Sequence, residues 1–238
     1  MSAYLLTLPD GDAIPYQLER GQRRTIGLRI SQEGLLVRAP KRISHSQIEH
    51  LLLGKAAWIR KKLEAQQQNV VAPMQWLDGA PLLLLGNGIS LSVRQDARTR
   101  VIEHKSSMLY VALPNPKNEQ AIARKVLQWY RKQALVDFAR RLELFSTKLG
   151  VPTPELFLSN ARSRWGSCNS KREVRLNWRL VMAPPHIINY VVCHELAHLK
   201  QMNHSAKFWA VVENLCPDYK RAEQELKLLS AQLQALDS

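Results

Sequence analysis

The segment His194-Glu195-Leu196-Ala197-His198, followed by His204, places three imidazoles and one carboxylate within eleven residues. Residues four apart in an α-helix differ by only about 40° around its axis, so the first two histidines face the same side and can bind one ion. In an H-E-x-x-H pattern, the carboxylate of Glu195 acts as general base toward a water on that ion. The preceding apolar residues 185–193, which begin with proline, predict a buried helix that leads into the motif.

His204 is the third candidate ligand, and its spacing from His198 determines where the helix must end. On an unbroken helix it would point about 120° away from His198 and lie about 9 Å farther along the axis. The helix must therefore end between the two residues. Asn203 tolerates a left-handed helix end, and Ser205 is a suitable N-cap for the apolar run that begins at Phe208. We expect a single Zn²⁺ bound by all three histidines; the alternative is a structural or accidental cluster.

The composition describes a chain of 238 residues, 45% hydrophobic, with a formal net charge of +14. This length can bury one large core or two smaller ones, and the charge would attract polyanions such as DNA or RNA. The basic residues form two concentrations: Arg20, Arg23, Arg24, Arg29, Arg38, Lys41 and Arg42, and then Arg124, Lys125, Arg131, Lys132, Arg140 and Arg141. Since no nucleic-acid-binding motif accompanies either cluster, solvated faces are favoured over a nucleic-acid surface.

The chain contains no apolar run of about 18 residues, and its first residues do not have the pattern of a signal peptide. A cytoplasmic protein without a membrane span is expected. The three cysteines, Cys168, Cys193 and Cys216, are widely spaced and include no C-x-x-C pair. They are interpreted as buried, reduced thiols.

Alternating apolar segments separated by glycine and proline predict a mainly antiparallel β-rich domain over residues 1–115, interrupted by one helix from Ser44 to Leu63. No internal repeat is apparent. A second domain is predicted over residues 116–238, opened by a long helix over 119–148. It continues through strands at 156–158 and 173–181 on either side of a turn-rich segment, and it ends in a helix over 217–235. The predicted fold class is α+β.

Several strings of residues closely resemble the YgjP-like metallopeptidase family, and the resemblance spans most of the chain. These strings are Arg162-Ser163-Arg164-Trp165-Gly166-Ser167-Cys168, Leu176-Asn177-Trp178-Arg179-Leu180, His194-Glu195-Leu196-Ala197-His198-Leu199, Asn203-His204-Ser205 and Pro217-Asp218-Tyr219. The first string and the histidine helix are more distantly similar to SprT-like proteases, whose eukaryotic relatives degrade proteins crosslinked to DNA. Where the family commonly has a Tyr-Leu-Gly string, this chain has Leu83-Leu84-Leu85-Gly86.

The resemblance implies a zincin-like metallopeptidase domain in which His194, His198 and His204 bind Zn²⁺ and Glu195 activates the water. Because the first string precedes the zinc helix, its residues are candidates to stabilise the oxyanion. The candidate groups are the Arg164 side chain and the backbone N–H groups of Gly166 and Ser167. For the Arg164 segment, a packing role is favoured over stabilisation of the oxyanion. In zincins, a strand in the position of residues 173–181 lines the cleft and pairs with substrate. That likeness makes Asn177 and Trp178 candidate substrate contacts, with core packing as the alternative for Trp178.

Three functions therefore compete. The leading one is a zinc-dependent peptidase that acts on a protein or peptide substrate, with Glu195 as general base. The second is a nucleic-acid-associated protein with a structural or weakly active zinc site. The third joins them, as a protease recruited to proteins on DNA. A carboxylate beside a ligand favours the enzyme, because a purely structural zinc site makes no use of it.

Overall fold

The computed structural model describes residues 2–31, 34–68, 74–98, 100–105 and 107–237. It is a mixed α+β protein, as predicted, and its contacts divide it into two compact units, residues 1–70 and 71–238. Among the described residues, none of the helices combines the length and apolar character needed to cross a bilayer.

The first unit consists of a four-stranded sheet and two helices. Strands β1 (Ser2–Thr7), β2 (Ala13–Gly21), β3 (Gly27–Ser31) and β4 (Gly34–Pro40) are arranged in the order β1-β2-β4-β3. Helices α1 (His45–Leu53) and α2 (Ala56–Gln68) follow. Apolar side chains from the sheet and from both helices, including Val37, Ile48 and Ile59, are fully buried in one core. Burial of this shared face holds the unit together.

The single helix predicted from Ser44 to Leu63 is two helices. Ser44 caps α1 as predicted: its hydroxyl accepts a hydrogen bond from the N–H of Gln47, whose side chain returns to the Ser44 backbone. Gly54 ends α1, and its N–H contacts the carbonyls of His50 and Leu52. Residues 66–68, predicted to be a loop, extend α2, while Asn69 lies outside the described residues.

The second unit begins with a sheet of the same topology. Strands β5 (Pro81–Leu84), β6 (Asn87–Gln95), β7 (Arg100–Lys105) and β8 (Met108–Leu113) are arranged in the order β5-β6-β8-β7. In both sheets two antiparallel pairs are joined by a central parallel pair, β2 with β4 and β6 with β8. Four of the six pairs that the structure describes in these two sheets are antiparallel, so the expectation of a mainly antiparallel region is confirmed, whereas the repeated topology is not apparent in the sequence. Thr99, placed in a predicted strand, lies outside the described residues.

The second sheet shares its core with the C-terminal elements, so the structure divides the chain differently from the predicted boundary at residue 115. The N–H groups of Leu85 and Gly86 donate to the carbonyls of Val181 and Met182, at 2.8 and 3.0 Å. Gly86 has a φ of +79°, and a Cβ there would lie 2.9 Å from Pro184 Cα. The backbone of Leu85 and Gly86 makes these contacts, so they do not involve the side chain of Leu84.

The C-terminal elements surround one long helix, α3 (Glu119–Leu149), which starts at its Asn118 cap and ends at Gly150 in the left-handed conformation. Strands β9 (Glu155–Ser159), β10 (Gly166–Cys168) and β11 (Glu173–Asn177) form a small sheet in the order β10-β11-β9. A 3₁₀ helix (Trp178–Met182) replaces the end of the strand predicted to reach Val181. Helices α4 (Pro185–Ala197), α5 (Ala206–Leu215) and α6 (Tyr219–Gln234) complete the unit.

Candidate metal centre and active site

Helix α4 contains His194 and has His198 as its C-cap, so it ends before His204, as the spacing requires. Its last residue is Ala197, and the N–H groups of Leu199 and Lys200 make tight i→i−3 bonds to Leu196 and Ala197. Asn203 is not among the described residues with positive φ, so the expected left-handed end at Asn203 is wrong. The predicted break is nevertheless confirmed, because the helix already ends at its His198 cap.

His204 lies just before α5, and Ser205 occupies the predicted N-cap position without a side-chain capping bond. His204 Nε2 is 3.2 Å from His194 Nε2. One ligand atom from each of His194, His198 and His204 can be chosen so that all three lie within 4.8 Å of one another. Tetrahedral zinc with bonds of about 2.0–2.1 Å to imidazole separates two ligand nitrogens by about 3.3 Å. The three side chains therefore fit one zinc ion.

The imidazoles of His198 and His194 differ in their hydrogen-bond partners. His198 Nδ1 is 3.3 Å from the Gln201 carbonyl, a contact that directs its other nitrogen to a metal. His194 Nδ1 is buried and has no hydrogen-bond partner among the described residues. Phe208 is fully buried, with its ring 4.7–5.0 Å from all three imidazole rings. This contact of Phe208 with the imidazoles was not predicted from the sequence. The feature that could have indicated it is the spacing of four residues between His204 and Phe208, which lies on the next helix.

Burial keeps His194 and His198 neutral, which is the form that donates a lone pair to a metal. Burial, together with the neighbouring His198 and His204, lowers the pKa of His194 from 6.5 to about 4. The pKa of His198 is also lowered, again chiefly by burial. These two imidazoles are therefore in their metal-binding protonation state at neutral pH.

Glu195 lies under strand β10 and is only 5% exposed. A Cβ placed on Gly166 would lie 2.7 Å from Glu195 Cγ and 2.8 Å from its carboxyl carbon. Burial raises the pKa of Glu195 from 4.5 to about 8, and the positive charge of Arg164 opposes this rise. The Arg164 side chain itself is exposed. A carboxyl group with a pKa near neutrality is suited to both accepting and donating a proton.

These shifts predict how the stability of the metal-free protein depends on pH. Between 4.5 and about 8 the folded protein holds a proton on Glu195 that the unfolded chain has lost, so the free energy of unfolding falls as pH rises. His194 acts in the opposite sense between about 4 and 6.5. From pH 6.5 to 8 we therefore expect a loss of about 2 kcal/mol that the Glu195→Gln variant does not show. Denaturant titrations of both proteins measure it; equal slopes would contradict it.

Two predicted substrate contacts lie in the interior instead. Asn177 is fully buried, and its amide donates to the carbonyls of Ala161 and Arg164, at 2.7 and 3.4 Å. Trp178 is 1% exposed, and its Nε1 donates to Asn160 Oδ1 at 2.9 Å. Neither side chain is placed to contact substrate. Both hold the loop that carries Arg164, which is the packing alternative raised for Trp178.

The small sheet separates the remaining candidates by face. Gly166 and Cys168 oppose Leu176 and Val174, whose side chains are fully buried. Residues directly opposite in an antiparallel pair share a face, so Gly166 and Cys168 lie toward the core and Ser167 lies on the other face. Of the predicted oxyanion group, the structure brings Gly166 and Arg164 to Glu195. The predicted donor of Ser167 is its backbone N–H, which points toward β11, where Ser167 is opposite Arg175.

The basic clusters are partly engaged within the protein. Arg38 pairs with Glu19 at 2.8 Å, and Arg20 donates to the Ile43 carbonyl. In the second cluster Arg141 is 6% exposed and pairs with Asp137 at 2.6 Å. These contacts favour the interpretation of both clusters as structural or solvated faces.

Comparisons with known proteins extend this description. The chain is 32% identical over 92 residues to a UTP pyrophosphatase of Escherichia coli K12, an alignment covering 38% of this chain and 55% of that protein. It thus spans about half of that relative's length.

Two solved structures of metallopeptidase zymogens are also similar. Abylysin of Pyrococcus abyssi has a TM-score of 0.37 at 24% identity, over 42% of this chain and 99% of its own. Jannalysin of Methanocaldococcus jannaschii has a TM-score of 0.35 at 22% identity, over 40% and 96%.

The family comparison covers far more of the chain than these relatives do. The family described as "YgjP-like, metallopeptidase domain" matches residues 24–228, a range that includes His194, Glu195, His198 and His204. The resemblance seen in the sequence is thereby confirmed, and the chain belongs to the YgjP-like metallopeptidase family.

Proposed function

We propose that this protein is a zinc-dependent peptidase in which His194, His198 and His204 hold one Zn²⁺ and Glu195 is the general base. The observation that carries the proposal is the combination of three converging imidazoles with a buried carboxyl group one residue after the first of them. A structural zinc site has four protein ligands, whereas three leave a position open for chemistry.

The ion, when bound, would lower the pKa of a water toward about 7 and polarise the carbonyl of the scissile peptide. Glu195 takes the proton that the water loses as its oxygen bonds to the carbonyl carbon. The same carboxyl then delivers this proton to the amine as the C–N bond breaks. The exposed guanidinium of Arg164, whose charge acts on Glu195, is our candidate to stabilise the oxyanion.

The substrate strand is expected on β10, because β11 lies between β10 and β9 and has no open edge. Asn177 N–H donates to the Trp165 carbonyl, and Asn169 N–H donates to the Glu173 carbonyl. Since backbone groups alternate along an antiparallel pair, those of Gly166 and Cys168 point away from β11. An extended peptide can therefore add to β10 beside Gly166, the residue whose face meets Glu195.

A second function, hydrolysis of a phosphoanhydride, is favoured by the similarity to the E. coli UTP pyrophosphatase. The centre is chemically compatible with it, because zinc and a general base also activate water toward phosphorus. The positive charge of Arg164 beside Glu195 would suit a polyphosphate as well as an oxyanion.

The two functions are separated by assaying the zinc-loaded protein with an unstructured peptide and with UTP. We expect cleavage of the peptide. Methylating alternate peptide nitrogens should lower kcat/KM by at least about 10-fold for one set of positions and hardly for the other, because only one set donates to β10. Hydrolysis of UTP without peptide cleavage would replace the first function by the second. Equal effects of both methyl sets would exclude pairing on β10.

A further inference from the structure

The backbone conformation of Gly166 does not require a glycine. It lies in strand β10 and is not among the glycines with positive φ, so its conformation is open to any residue. Glycine inside a strand is unfavourable because it packs no side chain and costs more conformational entropy. Some other requirement must exclude a side chain at this position.

That requirement is the position of Glu195. A Cβ on Gly166 would meet the Glu195 carboxylate oxygen Oε1, Cγ and Cδ, the last two at 2.7 and 2.8 Å. Separations below 3.0 Å essentially never occur for real Cβ atoms. Since Cγ is among these atoms, rotation of the carboxylate alone cannot relieve the contact. Strand β10 is held by its pairing with β11, so Glu195 is the group that must move.

We propose that Gly166 is the positioning residue for the general base: the space left by its missing side chain is where the Glu195 carboxyl group lies. The inference rests on the proposed function. One residue then presents its outward backbone groups to the substrate strand and its bare face to Glu195. Gly166 alone therefore sets the distance between the scissile peptide and the general base.

The test is a double-mutant cycle of Gly166→Ala and Glu195→Ala. In the zinc-loaded protein, Gly166→Ala alone should keep one equivalent of zinc and a KM within about 3-fold. Its kcat should fall by about 100-fold, the loss that a misplaced group produces. Gly88→Ala is the matched control, because Gly88 also lies in a strand without positive φ. No atom of the described residues lies within 4 Å of the position that a Cβ would take there, so kcat should not change.

Stability supplies a readout that is independent of activity. In the metal-free protein, Gly166→Ala should lower the unfolding temperature by about 4–10 °C, as overpacking does. Glu195→Ala removes all three crowded atoms, so in that background the same change should cost less than about 2 °C. Tryptophan fluorescence reports this transition, because five of the six tryptophans lie in residues 71–238.

Equal losses of unfolding temperature in both backgrounds would overturn the proposal. Glycine would then be required by the backbone of β10 and not by Glu195. An unchanged kcat in Gly166→Ala would overturn it as well. Failure of the unaltered protein to cleave any peptide would remove the proposed function, and the unfolding cycle would still decide whether Gly166 positions Glu195.

Discussion

Glu195→Gln will abolish most peptide cleavage while leaving the zinc content unchanged. The amide has nearly the same shape as the carboxyl group but cannot accept the proton of the attacking water. General acid–base catalysis contributes about 10²–10⁴-fold, so kcat should fall by that factor. Zinc should stay bound, because the three histidines form the metal-binding group and Glu195 is not part of it. Steady-state kinetics and metal analysis of the same preparation measure both quantities.

The control for this change is Glu143→Gln, which also replaces a glutamate but lies on the exposed face of α3. It should retain full activity. Equal cleavage by the Glu195→Gln and unaltered proteins would remove Glu195 from the mechanism. Loss of zinc from Glu195→Gln would instead make it a ligand, which contradicts the assignment in a different way.

The second large effect is expected at His204. Its Nε2 is 3.2 Å from that of His194, the separation of two ligands on one zinc ion. Removing groups that merely support a ligand costs about 10–100-fold in metal affinity, so His204→Ala should cost more than about 100-fold. Competition with a chromophoric chelator measures the affinity. Activity should fall with zinc occupancy and recover in part at high zinc concentration.

His186→Ala is the matched control, because His186 lies on the same helix as His194 but pairs with Glu225 and is not in the cluster. It should bind zinc as tightly as the unaltered protein. Full zinc affinity in His204→Ala would show that another residue is the third ligand. Glu213, exposed on the following helix, would then be the first residue to replace.

The clustering of the three histidines could be predicted from the sequence because its geometry is local. The spacing of His194 and His198 determines their common face, and the spacing to His204 requires a helix break. The structure places that break at His198, ahead of Asn203. Local patterns also marked most strands, but they missed β2 and β10, the latter inside the segment predicted to be turn-rich. They could not show that both four-stranded sheets repeat one topology.

The active-site surroundings were predicted less well, because they depend on contacts between distant segments. Asn177 and Trp178 were expected in the cleft, since the strand that holds them precedes the zinc helix. The structure buries both, and it places β11 between two other strands. Strand order follows from long-range pairing, which the alternation of side chains along one strand does not specify.

By itself, the sequence determined which groups are available for the proposed chemistry, the three imidazoles and the carboxylate beside them, and the family to which the chain belongs. Only the tertiary structure decided which strand has an open edge and that Gly166 makes room for Glu195. The reason is physical. Residues within one helical turn have their relative positions set by the helix, whereas residues 166 and 195 meet only when a strand and a helix pack together.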